Sequence, residues 1–234
     1  MTIEYLKSVL AHVSQTDGNY RSLYKPSIVT HPIPFFGNLE SAIILTVGVN
    51  PSNGEFTPDR WPDKISPEDL YIRLKNYFHN PCKAHPWFYG WNQALQQLNE
   101  DFTYYKKTVA HTDLSPRATI SMTRVHDKLL FKQMLEEDIK FLFKVIECSK
   151  NVKLIMTGGK VLREFYIAQW IGKHASKPIV LEPIKKGVGA TSFYKLKGFD
   201  WDVSVFSSNV SPSCCVRLLE NVHANRDELR RILK

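Results

Sequence analysis

Residues Ala42 to Val49 form a short, strongly apolar run that stops at Asn50-Pro51-Ser52-Asn53-Gly54, an unbroken cluster of turn-favouring residues. A run of that length is a buried strand, and the cluster behind it turns the strand into a loop. Thr108 to Thr112, Val152 to Thr157 and Val203 to Ser207 repeat the arrangement: each is short, β-branched or aromatic, and followed by Gly, Pro, Ser or Asn. Helical patterns lie between them. The clearest is Leu129 to Cys148, where Leu130, Met134, Leu135, Ile139, Leu142, Phe143 and Ile146 recur at helical spacing among Lys and Glu. Val161 to Ile171 behind Gly158-Gly159, Asp69 to Phe78 and Trp91 to Leu98 are shorter candidates, and Arg226 to Lys234 reads as a basic surface helix. Alternating strands and helices imply a mostly parallel sheet between helical layers. The expected fold is α/β, a three-layer α/β/α sandwich with a central, mostly parallel four-stranded sheet. Pro178 to Ile184 and Ser192 to Leu196 offer extra strands at an edge.

No repeat or long linker divides the chain, so residues 1–234 read as a single domain. The longest apolar run already contains Thr46 and Gly48 and falls far short of the roughly 20 residues of a membrane span. Met1-Thr-Ile-Glu-Tyr-Leu-Lys has an early acid and no apolar core before a cleavage site, so it does not read as a signal peptide, and the expected location is the cytoplasm. Cys82, Cys148, Cys214 and Cys215 form no C-x-x-C pair, which argues against structural zinc or an iron–sulfur cluster and for reduced thiols. Lys and Arg number 31 against 23 Asp and Glu, a net charge of +8 that favours a polyanion as partner.

Ligands of open parallel sheets gather beyond the carboxyl ends of the strands, so the loops there are where chemistry belongs. The first reads Gly48-Val49-Asn50-Pro51-Ser52-Asn53-Gly54-Glu55-Phe56, the second His111-Thr112-Asp113-Leu114-Ser115-Pro116-Arg117-Ala118, and the third Asn209-Val210-Ser211-Pro212-Ser213-Cys214-Cys215-Val216-Arg217.

In order and spacing these loops resemble the uracil-DNA glycosylase superfamily. Gly48 to Pro51 is similar to its G-x-[N/D]-P water-activating loop, in the Asn form of the mismatch-specific and single-strand-selective branches, with Asn50 as the matching residue. The third loop resembles the H-P-S-P or N-P-S segment near the end of these proteins, Asn209, Ser211 and Pro212 falling on its positions. The second matches the N-x-x-L-x-x-R stretch of the classical uracil enzymes more loosely, with His111 where Asn reads the uracil edge. The specific part of the resemblance is these three short loops.

The resemblance implies a metal-free and cofactor-free monomer that acts on DNA, hydrolyses the N-glycosidic bond of a flipped uracil-like or modified pyrimidine, and leaves an abasic site. Extruding the nucleotide costs a few kcal/mol and requires a pocket that stacks the base and reads its edge. Phe56 would stack and His111 would read. Asn50 would orient water through its side-chain carbonyl, though it cannot take the proton. Asn209 would stabilise the departing base, while Ser52, Ser211 and Ser213 grip flanking phosphates and Arg217 adds charge. The large apolar wedge of the superfamily is not evident, since Ser213 and Cys214 stand in its place.

Two alternatives stay open on sequence. His111 in place of Asn favours a hypermodified base such as glucosylated hydroxymethylcytosine in phage DNA, and Asn in place of a carboxylate suits a non-catalytic base sensor. Trp87-Phe88-Tyr89-Gly90-Trp91 reads as packing at a helix start, and Gly158-Gly159-Lys160 lacks the G-x-x-x-x-G-K-[ST] pattern of a phosphate loop.

Overall fold

A computed structural model describes residues 2–25, 28–58, 60–79, 84–120, 127–159, 161–164, 179–210 and 215–234. The expected strands form as β1 (Ile44–Gly48), β2 (Val109–Asp113), β3 (Leu154–Gly158) and β6 (Val203–Ser208). They lie in the order β2-β1-β3-β6, and every neighbouring pair is parallel. All residues of β1 and β2 are buried, as required of parallel strands covered by helices on both faces.

The sheet is larger than expected: six strands and mixed, not four. β4 (Val180–Lys186) and β5 (Thr191–Lys197) extend it past β6 with antiparallel pairing. Their direction follows from chain length, because residues 187–190 and 198–202 are hairpin connections and a parallel pair requires a crossover of a dozen residues or more. β4 is the edge. It carries Lys185, Lys186 and Pro183, and its register shifts between Pro183 and Lys185, devices that discourage further strand addition.

Five helices follow from capping and periodicity. α1 (Ile3–Thr16) is capped by the Thr2 hydroxyl and buries Leu6, Val9 and Val13, a stripe at helical spacing. α2 (Pro67–Lys75) starts at the Ser66 cap with Pro at its first position. α3 (Trp87–Gln96) starts earlier than expected, and α4 (Lys128–Cys148) lies where periodicity puts it, capped by Asp127. α5 (Cys215–Ala224) packs against α3. A sixth, α6 (Arg226–Leu233), buries Leu229, so the basic end is anchored and not merely laid on the surface. Residues 161–164 are helical, and the rest of the helix expected to Ile171 lies outside the described residues. No described helix is long and apolar enough to cross a membrane.

Candidate active site

Parallel register between β1 and β2 sets Thr46 beside His111 and Gly48 beside Asp113. The alternation of a strand then aims all four at one face. Thr46 Oγ1 lies 2.9 Å from His111 Nδ1 and 2.7 Å from the Tyr104 hydroxyl, and His111 Nε2 lies 3.4 Å from Asp113 Oδ2. Thr46 Oγ1 also donates to Ala110 O at 3.3 Å, so this hydroxyl ties the Tyr104 hydroxyl and the His111 ring to the backbone of β2. Burial raises the Tyr104 pKa and keeps it a hydroxyl. Phe36, Trp87 and Phe88 wall in the imidazole, with ring centroids 5.8, 4.8 and 5.2 Å away.

Gly48 is required here. A Cβ at this position would overlap Asp113 Oδ1, so only a glycine lets the carboxyl lie across the end of β1.

Beyond Gly48 the chain turns, and the Asn50 side chain is fixed by three bonds. Its Nδ2 donates to Pro51 O at 3.1 Å, Arg117 O at 3.2 Å and Thr119 Oγ1 at 2.8 Å. Two of these partners are carbonyls, which only accept, so the amide orientation follows from chemistry. No described residue is recorded donating to Oδ1, so among the described residues this oxygen is an open acceptor.

Ser52 caps the short 3₁₀ turn Asn53–Glu55, and that turn delivers Glu55 into the interior at 2% exposure. Trp61 Nε1 donates to Glu55 Oε1 at 3.0 Å, and the Tyr77 hydroxyl lies 2.8 Å from both carboxyl oxygens. Arg60 stands 3.8 Å away. Burial nevertheless dominates and pushes the Glu55 pKa up to about 7, against the pull of Trp61 and Tyr77. Tyr77 also accepts from the His85 backbone N–H at 3.0 Å. Burial lowers the His85 pKa, and its Nδ1 accepts from the Trp87 N–H at 3.2 Å, so the neutral ring carries its proton on Nε2.

These groups line one cavity of about 570 Å³ at the carboxyl ends of β1, β2, β3 and β6. Asn50, Ser52, His111 and Asn209 are all on its wall, together with Glu55, His85, Trp87 and Asp113. Asn209 stands at the exposed rim. Its side chain lies over Gly159, where a Cβ would overlap Asn209 Oδ1, so Gly159 makes room for this amide as well as easing the turn.

The readings of Phe56 and Trp87 need correction. Phe56 is not on the cavity wall: it is 6% exposed and packs in the core against Trp61 and His31, because the 3₁₀ turn that faces Glu55 inward carries Phe56 away. Trp87, read from sequence as packing, is the half-buried aromatic on the wall. His111 is on the wall but 3% exposed and enclosed by Phe36, Trp87 and Phe88, with Nδ1 bonded to Thr46, which leaves little of its edge open to a base. Arg217 lies exposed on α5 and off the wall. Ser211, Ser213 and the expected wedge position at Cys214 lie outside the described residues.

Glu55, His85 and Asp113 line the cavity without having been singled out by the sequence motifs. Glu55 and Asp113 sit inside the quoted loops, and a carboxyl within five residues of the turn was the available signal. No protein-family model matches the chain, and no curated protein is similar to it.

Proposed function

We propose that the protein is a DNA glycosylase that hydrolyses the N-glycosidic bond of a flipped, uracil-like or modified pyrimidine and leaves an abasic site. One observation carries the reading: Asn50, His111 and Asn209, distant in sequence, meet on the wall of a single cavity at the carboxyl ends of parallel strands. At about 570 Å³ it lies within the range that encloses a drug-sized ligand.

The residues divide the work. Asn50 Oδ1 orients the attacking water, its amide held still by Pro51, Arg117 and Thr119. Glu55 accepts the water's proton, a task suited to a carboxyl whose pKa lies near neutrality. Trp87 stacks on the everted base. As the bond to deoxyribose breaks, negative charge grows on the base, and the Asn209 amide and the His85 Nε2–H are the fixed donors that answer it. Glu55 supplies the proton acceptor whose absence favoured a base sensor. The proposed substrate is DNA, bound by a monomer in the cytoplasm.

The test is a panel of duplexes carrying uracil opposite G, thymine opposite G, or glucosylated hydroxymethylcytosine, followed by alkali to break abasic sites. Strand breaks on at least one duplex, lost in Asn50→Ala, are expected. Binding to all with breaks on none overturns the enzymatic reading in favour of the sensor.

A further inference from the structure

We propose that Asp113, seated over Gly48 at the end of β1, reads an exocyclic amino group on the bound base, so that the site selects a cytosine-type edge over a uracil-type edge. The inference rests on the cavity being a base pocket, as proposed above, and names the substrate class within it.

His111 is a poor candidate for the reader because it is enclosed. Nδ1 is engaged by Thr46 at 2.9 Å, Nε2 faces Asp113 at 3.4 Å, and three aromatic rings enclose the imidazole. The polar group presented beside it is the carboxyl group of Asp113. That side chain is 5% exposed, lies over the bare Cα of Gly48, and forms part of the wall.

A buried carboxylate is an acceptor only. It matches the N4 amino group of cytosine, the pairing that Asp and Glu make with this base in nucleic-acid recognition. Uracil presents a carbonyl oxygen at the same position, and two acceptors face to face in a pocket shielded from water repel. A neutral amide reader has a donor and an acceptor and suits uracil; the Asp113 carboxylate itself offers acceptors alone.

Free cytosine and free uracil are the probes, titrated against the whole protein while quenching of the cavity tryptophans Trp87 and Trp91 is followed. Cytosine is expected to bind about tenfold tighter or better, the discrimination typical of one good edge contact. Asp113→Asn, which restores a donor, should erase or invert the ratio. Equal or tighter binding of uracil to the wild-type protein, quenching by neither base, or an unchanged ratio in a folded Asp113→Asn variant would overturn the proposal. The wild-type comparison needs no variant, so a variant that does not fold leaves the test intact. Base selectivity without cleavage of any duplex would sink the glycosylase and spare the reader; cleavage of uracil duplexes with tighter uracil binding would do the reverse.

Discussion

A glutamate in water gives up its proton near pH 4.5, whereas Glu55, buried beneath Trp61 and Tyr77, keeps its proton to about pH 7. Between those two values the folded chain binds more protons than the unfolded one, so stability falls as pH rises from about 4.5 through 7 and then levels off. The span corresponds to at most about 3 kcal/mol. Glu55→Gln keeps an acceptor for the Trp61 N–H and removes the charge. It should melt higher than the wild type at about pH 8, with little difference at about pH 4, in scanning calorimetry. Single-turnover base release should fall roughly 100-fold or more in the same variant, the usual weight of a general base. In the wild type that rate should climb with pH to a plateau above 7.

Asn50 makes a second residue-level case. Its side-chain nitrogen faces the carbonyls of Pro51 and Arg117. Asn50→Asp would set an acceptor against two acceptors, at a cost of about 1–3 kcal/mol, and should lower the melting temperature without raising the rate of base release. Asn50 and Asn209 were legible as short strings at strand ends. Glu55 was not, because its character comes from Trp61 and Tyr77, which the chain brings over it only on folding. Phe56 was misread for a related reason: an aromatic after a turn gives no hint of which way the turn will send it.

At the scale of elements, α4 and the second loop are locked together by one buried pair. Arg117 Nε donates to Asp138 Oδ2 at 2.8 Å, and Ser115 Oγ donates to the same oxygen at 2.6 Å. Both charged side chains are essentially inaccessible, and the guanidinium also reaches Tyr24 and Thr16, tying in α1. Asp138→Ala would strand the Arg117 charge and should cost about 3–5 kcal/mol in denaturant unfolding. Because Asn50 donates to the Arg117 carbonyl, the variant should also slow base release under conditions where it remains folded.

The parallel strands and α4 were readable because burial on both faces leaves continuous apolar runs and burial on one leaves a stripe at helical spacing. α1 carries the same kind of stripe in Leu6, Val9 and Val13. The number of strands was the harder quantity: β4 is mostly exposed, and its membership depends on pairing with β5, not on its own pattern.

For the whole molecule the net charge of +8 acts at long range, whereas base reading is a contact property, and the two should separate by experiment. Many exposed cations are already paired, Lys7 with Glu68 and Lys197 with Glu182 among them, so charge alone does not define a DNA face. Arg217 is better placed: it stands exposed near the start of α5, seven residues along the chain from Val210 on the cavity wall. If it grips a phosphate, Arg217→Ala should weaken binding to every duplex alike and reduce the slope of log affinity against log salt by about 0.9. Its preference among free bases should not move, since neither cytosine nor uracil carries a phosphate. Fluorescence anisotropy across a salt series measures the slope. A loss confined to one base, or an unaltered slope, would mean that Arg217 does not meet the backbone and that another part of the basic surface supplies the long-range attraction.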